Sequence, residues 1–203
     1  MFLSLTIICV VAGFLAAALN KVTEKPIKIS RKAKLENAVK EVVPAFDNSP
    51  SDEAYYGVVG EDSLKIYPAK KGGNLVGVAV ESRSMKGFGG KISLIVGFDP
   101  QGKIINYVVL NHAETPGLGS KMDSWFKTDK NKQSIIGKEL SKGNLKVSKD
   151  GGDVDAITAS TITSRAFLDA VNRAYTAYSG KNTDGVSGAS ATDATTGATQ
   201  QTK

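Results

Sequence analysis

The chain has 203 residues, of which 41% are hydrophobic, 23% charged and 7% aromatic, and a formal net charge of +6. These proportions suit a folded protein and exclude a wholly disordered, collagen-like or polytopic membrane chain. A single cysteine, Cys9, and a single histidine, His112, exclude an intramolecular disulfide, an all-cysteine metal site and a multi-histidine one.

The first element is apolar. Phe2–Leu19 (FLSLTIICVVAGFLAAAL) contains no charged residue. As a helix it would reach about 27 Å, near the hydrocarbon thickness of a bilayer. It is apolar on every face, so it is not an amphipathic surface helix. Ala16–Ala18 resembles a small-residue cleavage site, but no basic residue precedes the run and it outlasts a usual signal-peptide core. The expectation is an uncleaved transmembrane anchor over residues 1–20. Lys21, Lys25, Lys28, Arg31, Lys32 and Lys34 follow it, and on charge alone the main domain would lie in the cytoplasm.

Residues 21–50 read as a basic juxtamembrane helix and linker. Ala33, Leu35, Ala38, Val39, Val42 and Val43 recur at helical spacing until Pro44, and Asn48–Glu53 is polar. The excess base behind the pI near 9.3 sits largely beside the anchor, without a nucleic-acid motif. Nucleic acid is therefore not an expected partner, whereas a membrane surface is.

From residue 51 the period changes. Ser63–Tyr67, Leu75–Glu81, Lys91–Phe98 and Ile104–Leu110 are short, rich in Val and Ile, and separated by turn residues such as Lys71-Gly72-Gly73-Asn74 and Asp99-Pro100-Gln101-Gly102. Such short connections require antiparallel pairing, giving three or four strands. A short helix is expected over Lys121–Phe126. A longer one is expected over Thr163–Tyr178, where Ala166, Phe167, Ala170, Val171, Ala174 and Tyr178 share a face. Residues 51–178 thus form an α+β domain, an antiparallel sheet packed with helices. The tail, 179–203, has too little apolar surface to fold and reads as disordered.

Two segments carry possible chemistry. In Asn111–Lys121 (NHAETPGLGSK), Gly117 and Gly119 permit close approach to the backbone, and Glu114 and Thr115 are polar. By composition alone this is an ordinary glycine-rich loop. It is not a phosphate-binding P-loop, because the GxxxxGK[ST] spacing is absent. In Asp155–Arg165 (DAITASTITSR), five hydroxyl side chains crowd Thr158–Ser164 where a helix begins. A helix N-terminus suits a phosphate, and a hydroxyl there can carry or cradle a phosphate ester. Plain N-capping by Ser or Thr explains the same residues, and physics alone leaves the two readings even.

The order of the anchor, the basic helix, GFGGKI (Gly87–Ile92), ETPGLG (Glu114–Gly119) and DAITASTITSR resembles a known family. This is the family of FMN-binding G subunits of the Rnf ion-translocating electron-transport complex, related to the C subunits of the sodium-translocating NADH:quinone reductase. IGKEL and SRAFLDAVNRAY favour the former. The resemblance covers most of residues 1–178. It implies FMN esterified through its phosphate to the last threonine of an [ST]-G-A-T motif, which here falls on Thr161. Ala159 and Ser160 replace the motif's glycine and alanine, and Ala159 suits a positive φ poorly. A competing match, DATTGAT (Asp193–Thr199), lies in the tail; Thr161 is preferred because a helix and a fold surround it.

The resemblance further implies that Phe88, Gly89, Glu114, Thr115, Gly117, Leu118, Thr158, Ser160, Ile162 and Thr163 surround the flavin. Phe88 would form an apolar wall. No general acid or base is needed, and His112 and Trp125 are expected to be structural. The expected partners are the other subunits of the complex and a flavin transferase that uses FAD. The complex would pass electrons between ferredoxin and NAD, so the chain is a redox subunit rather than a stand-alone catalyst. The resemblance places the domain on the periplasmic face of the bacterial inner membrane, against the charge-based orientation. The rival expectation is a membrane-anchored ligand-binding module without redox chemistry.

Overall fold

The computed structural model describes residues 2–180. The tail 181–203, with the DATTGAT match and nearly all of the segment expected to be disordered, lies outside the described residues. The chain divides into two compact units, Met1–Asn37 and Ala38–Lys203.

The first helix, α1, spans Phe2–Val42 and contains Pro26. Within the first unit, Leu5–Thr23 has a mean hydropathy of 2.1 and none of it is buried, so it is long and apolar enough to cross a membrane. The expected anchor and basic helix are one element. Pro26 removes one backbone donor from the ladder, and the Lys-, Ala- and Glu-rich sequence beyond it retains strong helix propensity.

The second unit takes in the last turns of α1 and a five-stranded antiparallel sheet. Its strands are β1 (Tyr55–Val59), β2 (Asp62–Lys71), β3 (Asn74–Gly87), β4 (Gly90–Phe98) and β5 (Ile104–Asn111), side by side in chain order. The sheet has five strands rather than three or four, and more strand than expected from sequence: β2 runs on through Pro68 to Lys71, and β1 and β3 are the more telling cases. β1 carries Gly57, which reads as a breaker. A methyl group there would lie 2.5 Å from the Ala177 carbonyl oxygen, so the bare backbone is what lets this strand pass beneath the last helix. β3 runs six residues beyond Glu81 because its inward positions are serines. Ser82 donates to the Ala170 carbonyl at 2.7 Å and Ser84 to Asp169 Oδ2 at 2.7 Å. These hydroxyls are satisfied and buried, yet they break the apolar alternation by which a strand is recognised.

One face of the sheet, including Leu64, Ile66, Val78, Val80, Ile92, Leu94 and Val96, joins the core. It packs against α3 (Thr161–Ser179), which begins two residues earlier than expected and ends at Gly180 in the left-handed conformation. Phe167 of α3 stacks on Phe126, centroids 4.4 Å apart, and meets Tyr107 edge-on at 4.8 Å. On the opposite face, α1's final turn comes so close that a methyl on Gly97 would sit 1.8 Å from the Val42 carbonyl oxygen.

Between β5 and α3 the chain is mostly irregular. It includes a short helix, α2 (Met122–Trp125), entered through a single 3-10 turn at Gly119–Lys121. Side chains hold this stretch in place: Asn172 accepts from the Leu145 N–H at 2.9 Å and donates to the Leu145 carbonyl at 3.0 Å.

Candidate functional site

Three segments far apart in sequence converge: the β3–β4 turn, the loop after β5, and the start of α3. Glu114 joins them. It is buried, at 5% exposure. Its Oε1 accepts the Gly89 N–H at 2.9 Å, and its Oε2 accepts the Thr163 hydroxyl. Its own N–H donates to His112 Nδ1 at 3.1 Å, so the histidine is a hydrogen-bonded loop residue, as expected. Gly119 lies against this junction; a methyl there would lie 2.8 Å from Glu114 Cβ, Glu114 Oε2 and Thr163 Oγ1.

The convergence leaves a cleft of about 360 Å³, within the range of small-molecule sites. Phe88 lines it from the hairpin turn, Glu114, Thr115, Leu118 and Gly119 from the loop, and Ala159 to Thr163 from the helix start. Phe88 is 72% exposed and Ile162 51%, so apolar surface lies open at the cleft. Of the expected residues, Phe88, Glu114, Thr115, Leu118, Ser160, Thr161, Ile162 and Thr163 are brought together. Gly89, Gly117 and Thr158 are not part of the lining. Gly89 acts through its N–H to Glu114. Its Cα hydrogen faces the Ala113 carbonyl, which a methyl there would meet at 2.1 Å. Gly117 turns the loop at φ 74°, donating to Ser120 Oγ at 2.9 Å. Thr158 is exposed on the loop before the helix. Sequence reasoning left out Gly119 as a lining residue, although its second place in the G-x-G pair was the available signal.

The helix start is shaped by its neighbours. Ser164 Oγ accepts the Ile157 N–H at 2.9 Å and donates to the Ser160 carbonyl at 2.9 Å, clasping the loop ahead of α3. Ser160, the N-cap residue, makes no side-chain capping bond. The capping explanation of the hydroxyl cluster therefore does not apply to it. The first helical backbone bond runs from the Ser164 N–H to the Ser160 carbonyl. The N–H groups of Thr161, Ile162 and Thr163 thus precede the ladder, at the positive end of the helix dipole. Thr161 Oγ1 has no hydrogen-bond partner among the described residues.

Ala159 has φ 61°, a left-handed conformation that an L-residue rarely adopts. Asp155 anchors the same loop, its carboxylate accepting from Ser148 Oγ at 2.7 Å and from the Lys132 N–H at 3.2 Å. The Ser148 bond, with that amide, holds its carboxyl below the usual range. Trp125 donates from Nε1 to the Asp155 carbonyl at 2.9 Å while packing against the core, a structural role. Arg165, one turn into α3, is clamped by Asp150, with Nε to Oδ2 at 2.8 Å and Nη2 to Oδ1 at 2.6 Å. That bidentate bond lowers the Asp150 pKa. The cleft offers an anion the amide end of a helix rather than a free guanidinium. Among the described residues no group of three or more His, Cys, Asp or Glu is placed to hold a metal.

The fold is that of a flavin-binding protein: residues 87–176, from the hairpin turn through the loop and most of α3, match the FMN-binding domain family. Over a longer reach the chain is 36% identical to the G subunit of the ion-translocating oxidoreductase complex of Vibrio parahaemolyticus, across 176 residues and 80% of each chain. It is 35% identical to the corresponding protein of Vibrio vulnificus across 180 residues, again 80% of each. It is 36% identical to that of Shewanella loihica across 170 residues, 78% of this chain and 79% of the other. The chain belongs to the family of G subunits of the ion-translocating oxidoreductase complex.

Proposed function

We propose that this chain is the flavin-carrying subunit of an ion-translocating oxidoreductase complex, with FMN bound as a phosphoester of Thr161. The observation that carries this reading is the Thr161 hydroxyl. It lines the cleft, has no partner among the described residues, and lies beside the three free N–H groups that open α3. The residues present fit such a group. The lining is mostly small or apolar, and the amide end of the helix meets a phosphate's charge without a cation.

Thr161 supplies the tether. The amides of Ile162 and Thr163 would hold the phosphate. Glu114 positions the Gly89 turn and Thr163 rather than reacting, and Phe88, Leu118 and Ile162 present apolar walls to a ring. Bound isoalloxazine supplies electron transfer, one or two electrons at a time. No proton need be moved by the chain, because no substrate bond is made or broken. A covalent link keeps the flavin on a domain from which a weakly held one would be diluted away.

In this reading Leu5–Thr23 anchors the chain in the bacterial inner membrane, and the folded domain works on the periplasmic side. A long folded segment is translocated with little regard to its charge. The partners are the other subunits of a complex that passes electrons between ferredoxin and NAD, and a flavin transferase that uses FAD.

The test is a tryptic map of full-length protein matured in a host with an active transferase. An FMN increment on peptide 150–165, lost in Thr161→Ala, is the expected result. An unmodified peptide 150–165, from cells whose transferase labels a control substrate, overturns the assignment. Colourless protein from those cells would favour the non-redox ligand-binding module.

A further inference from the structure

The two edges of the sheet are finished differently. At β5 the chain beyond the sheet takes up the first outward groups. Ile104 donates its N–H to the Lys138 carbonyl at 3.1 Å and accepts the Gly137 N–H at 2.8 Å, and Lys103 bridges to Glu139. At β1 no such pairing occurs among the described residues. Gly60, at φ 62°, opens a two-residue turn between the paired Val59 and Asp62. Such a turn makes Val59–Asp62, and every second pair after it, the hydrogen-bonded ones. Tyr56 and Val58 therefore turn their N–H and C=O groups away from β2.

The side chains leave this edge open. β1 (YYGVV) contains no charge and no proline, the devices that usually keep an edge from pairing. Gly57 faces α3, so Tyr56 and Val58 lie on the other face of the sheet, 66% and 68% exposed. There Tyr56 borders a hollow of about 190 Å³ with Lys65, Glu81, Arg83, Lys91 and Ser93. The carboxylates at this hollow are already engaged. Glu81 accepts the Tyr67 hydroxyl at 3.2 Å, and Asp62 is shared between Arg83, at 2.5 Å, and Arg173, at 2.7 Å. Lys65 lies over the Tyr67 ring, 5.3 Å from its centroid, and neither it nor Lys91 forms an ion pair among the described residues. The face beside the bare edge is therefore basic.

We propose that β1 is a docking edge for an extended acidic segment of another subunit of the complex, which joins the sheet as an added strand. This rests on the chain working inside such a complex, and not on attachment at Thr161. The segment's backbone pairs with the outward groups of Tyr56 and Val58, and its carboxylates lie toward Lys65, Arg83 and Lys91. A second copy of this chain offers the same edge, but joining two copies there would set two basic hollows side by side, which opposes it.

The test uses the whole complex, purified from cells in which the full chain carries a benzophenone photo-crosslinking residue in place of Tyr56. After illumination the adducts are mapped by mass spectrometry. The expected adduct joins position 56 to a segment of another subunit that contains Asp or Glu. Val58→Pro removes one outward N–H while sparing the ladder to β2, and should lower the yield about tenfold. Lys65→Glu combined with Lys91→Glu, which leaves the edge itself intact, should lower it as well and weaken its dependence on salt. An adduct to a second copy, to the chain's own tail or to lipid overturns the proposal. So does the absence of an adduct from a complex that still contains the chain, or a yield that survives both variants. A chain that never co-purifies with other subunits overturns the reading of it as a complex subunit, and this docking edge with it.

Discussion

Glu114 and Thr163, 49 positions apart in the chain, are joined by a hydrogen bond from the threonine hydroxyl to a buried carboxylate oxygen. The other oxygen takes the Gly89 N–H at 2.9 Å, so one side chain fixes the loop, the hairpin turn and the helix start relative to one another. Glu114→Ala strands a buried hydroxyl and leaves a turn amide without its acceptor, at roughly 2–4 kcal/mol in all. Urea unfolding of the full chain in detergent should show that loss. Glu114→Gln, which keeps one acceptor oxygen, should lose less. Flavin on peptide 150–165 should fall in both variants, following the order of their stabilities.

Ala159 offers a change in the opposite direction. Glycine at this position relieves the left-handed strain while adding freedom to the unfolded chain. Ala159→Gly should therefore raise stability by about 0.5–1 kcal/mol. Ala159→Val, β-branched at the same φ, should lower it. Thermal unfolding of the three proteins, ranked Gly above Ala above Val, checks the assignment of strain.

The Asp150–Arg165 pair should be visible as a pH dependence. Asp150 has a folded-state pKa below its unfolded value because Arg165 hydrogen-bonds its carboxylate. The pair's contribution is thus fully present above the unfolded value of about 3.9, and it is lost as pH falls through the lower folded value. Asp150→Asn should be less stable than the parent at pH 7, and the two curves should converge at the acid end. Curves that stay parallel across that range would show that the clamp does not titrate as described.

Phe88 separates site from scaffold. It lines the cleft yet is 72% exposed, so Phe88→Ala should alter stability by no more than about 0.5 kcal/mol. If it walls the flavin ring, the same substitution should shift the visible absorption and fluorescence of the flavin proposed at Thr161. Unchanged spectra of the purified peptide-150–165-labelled protein would remove Phe88 from the ring's surroundings.

The antiparallel pairing and the two helices that frame the loop could be read from local pattern, because turns and period are contiguous in the chain, whereas the hairpin-turn segment at Gly87–Ile92 was marked only by the family resemblance. β1 could not, since Gly57 only makes sense once the Ala177 carbonyl is above it. The length of β3 was hidden for a related reason: Ser82 and Ser84 look like loop residues until α3 supplies their acceptors. At the site, the family resemblance pointed to Thr161 and flagged Ala159 as ill suited to a positive φ, which is the conformation it adopts. The role of Glu114 was not legible as a strut. Its two partners come from other segments, and no spacing rule links positions 89, 114 and 163.

The Ser164 clasp has a consequence for the order of biosynthesis. It bends the stretch from Ile157 to Ser160, and an unfolded chain would seldom visit the bend at Ala159 unaided. With the proposed attachment at Thr161, maturation would then come after folding, making the yellow colour of peptide 150–165 a certificate that the domain had already taken shape.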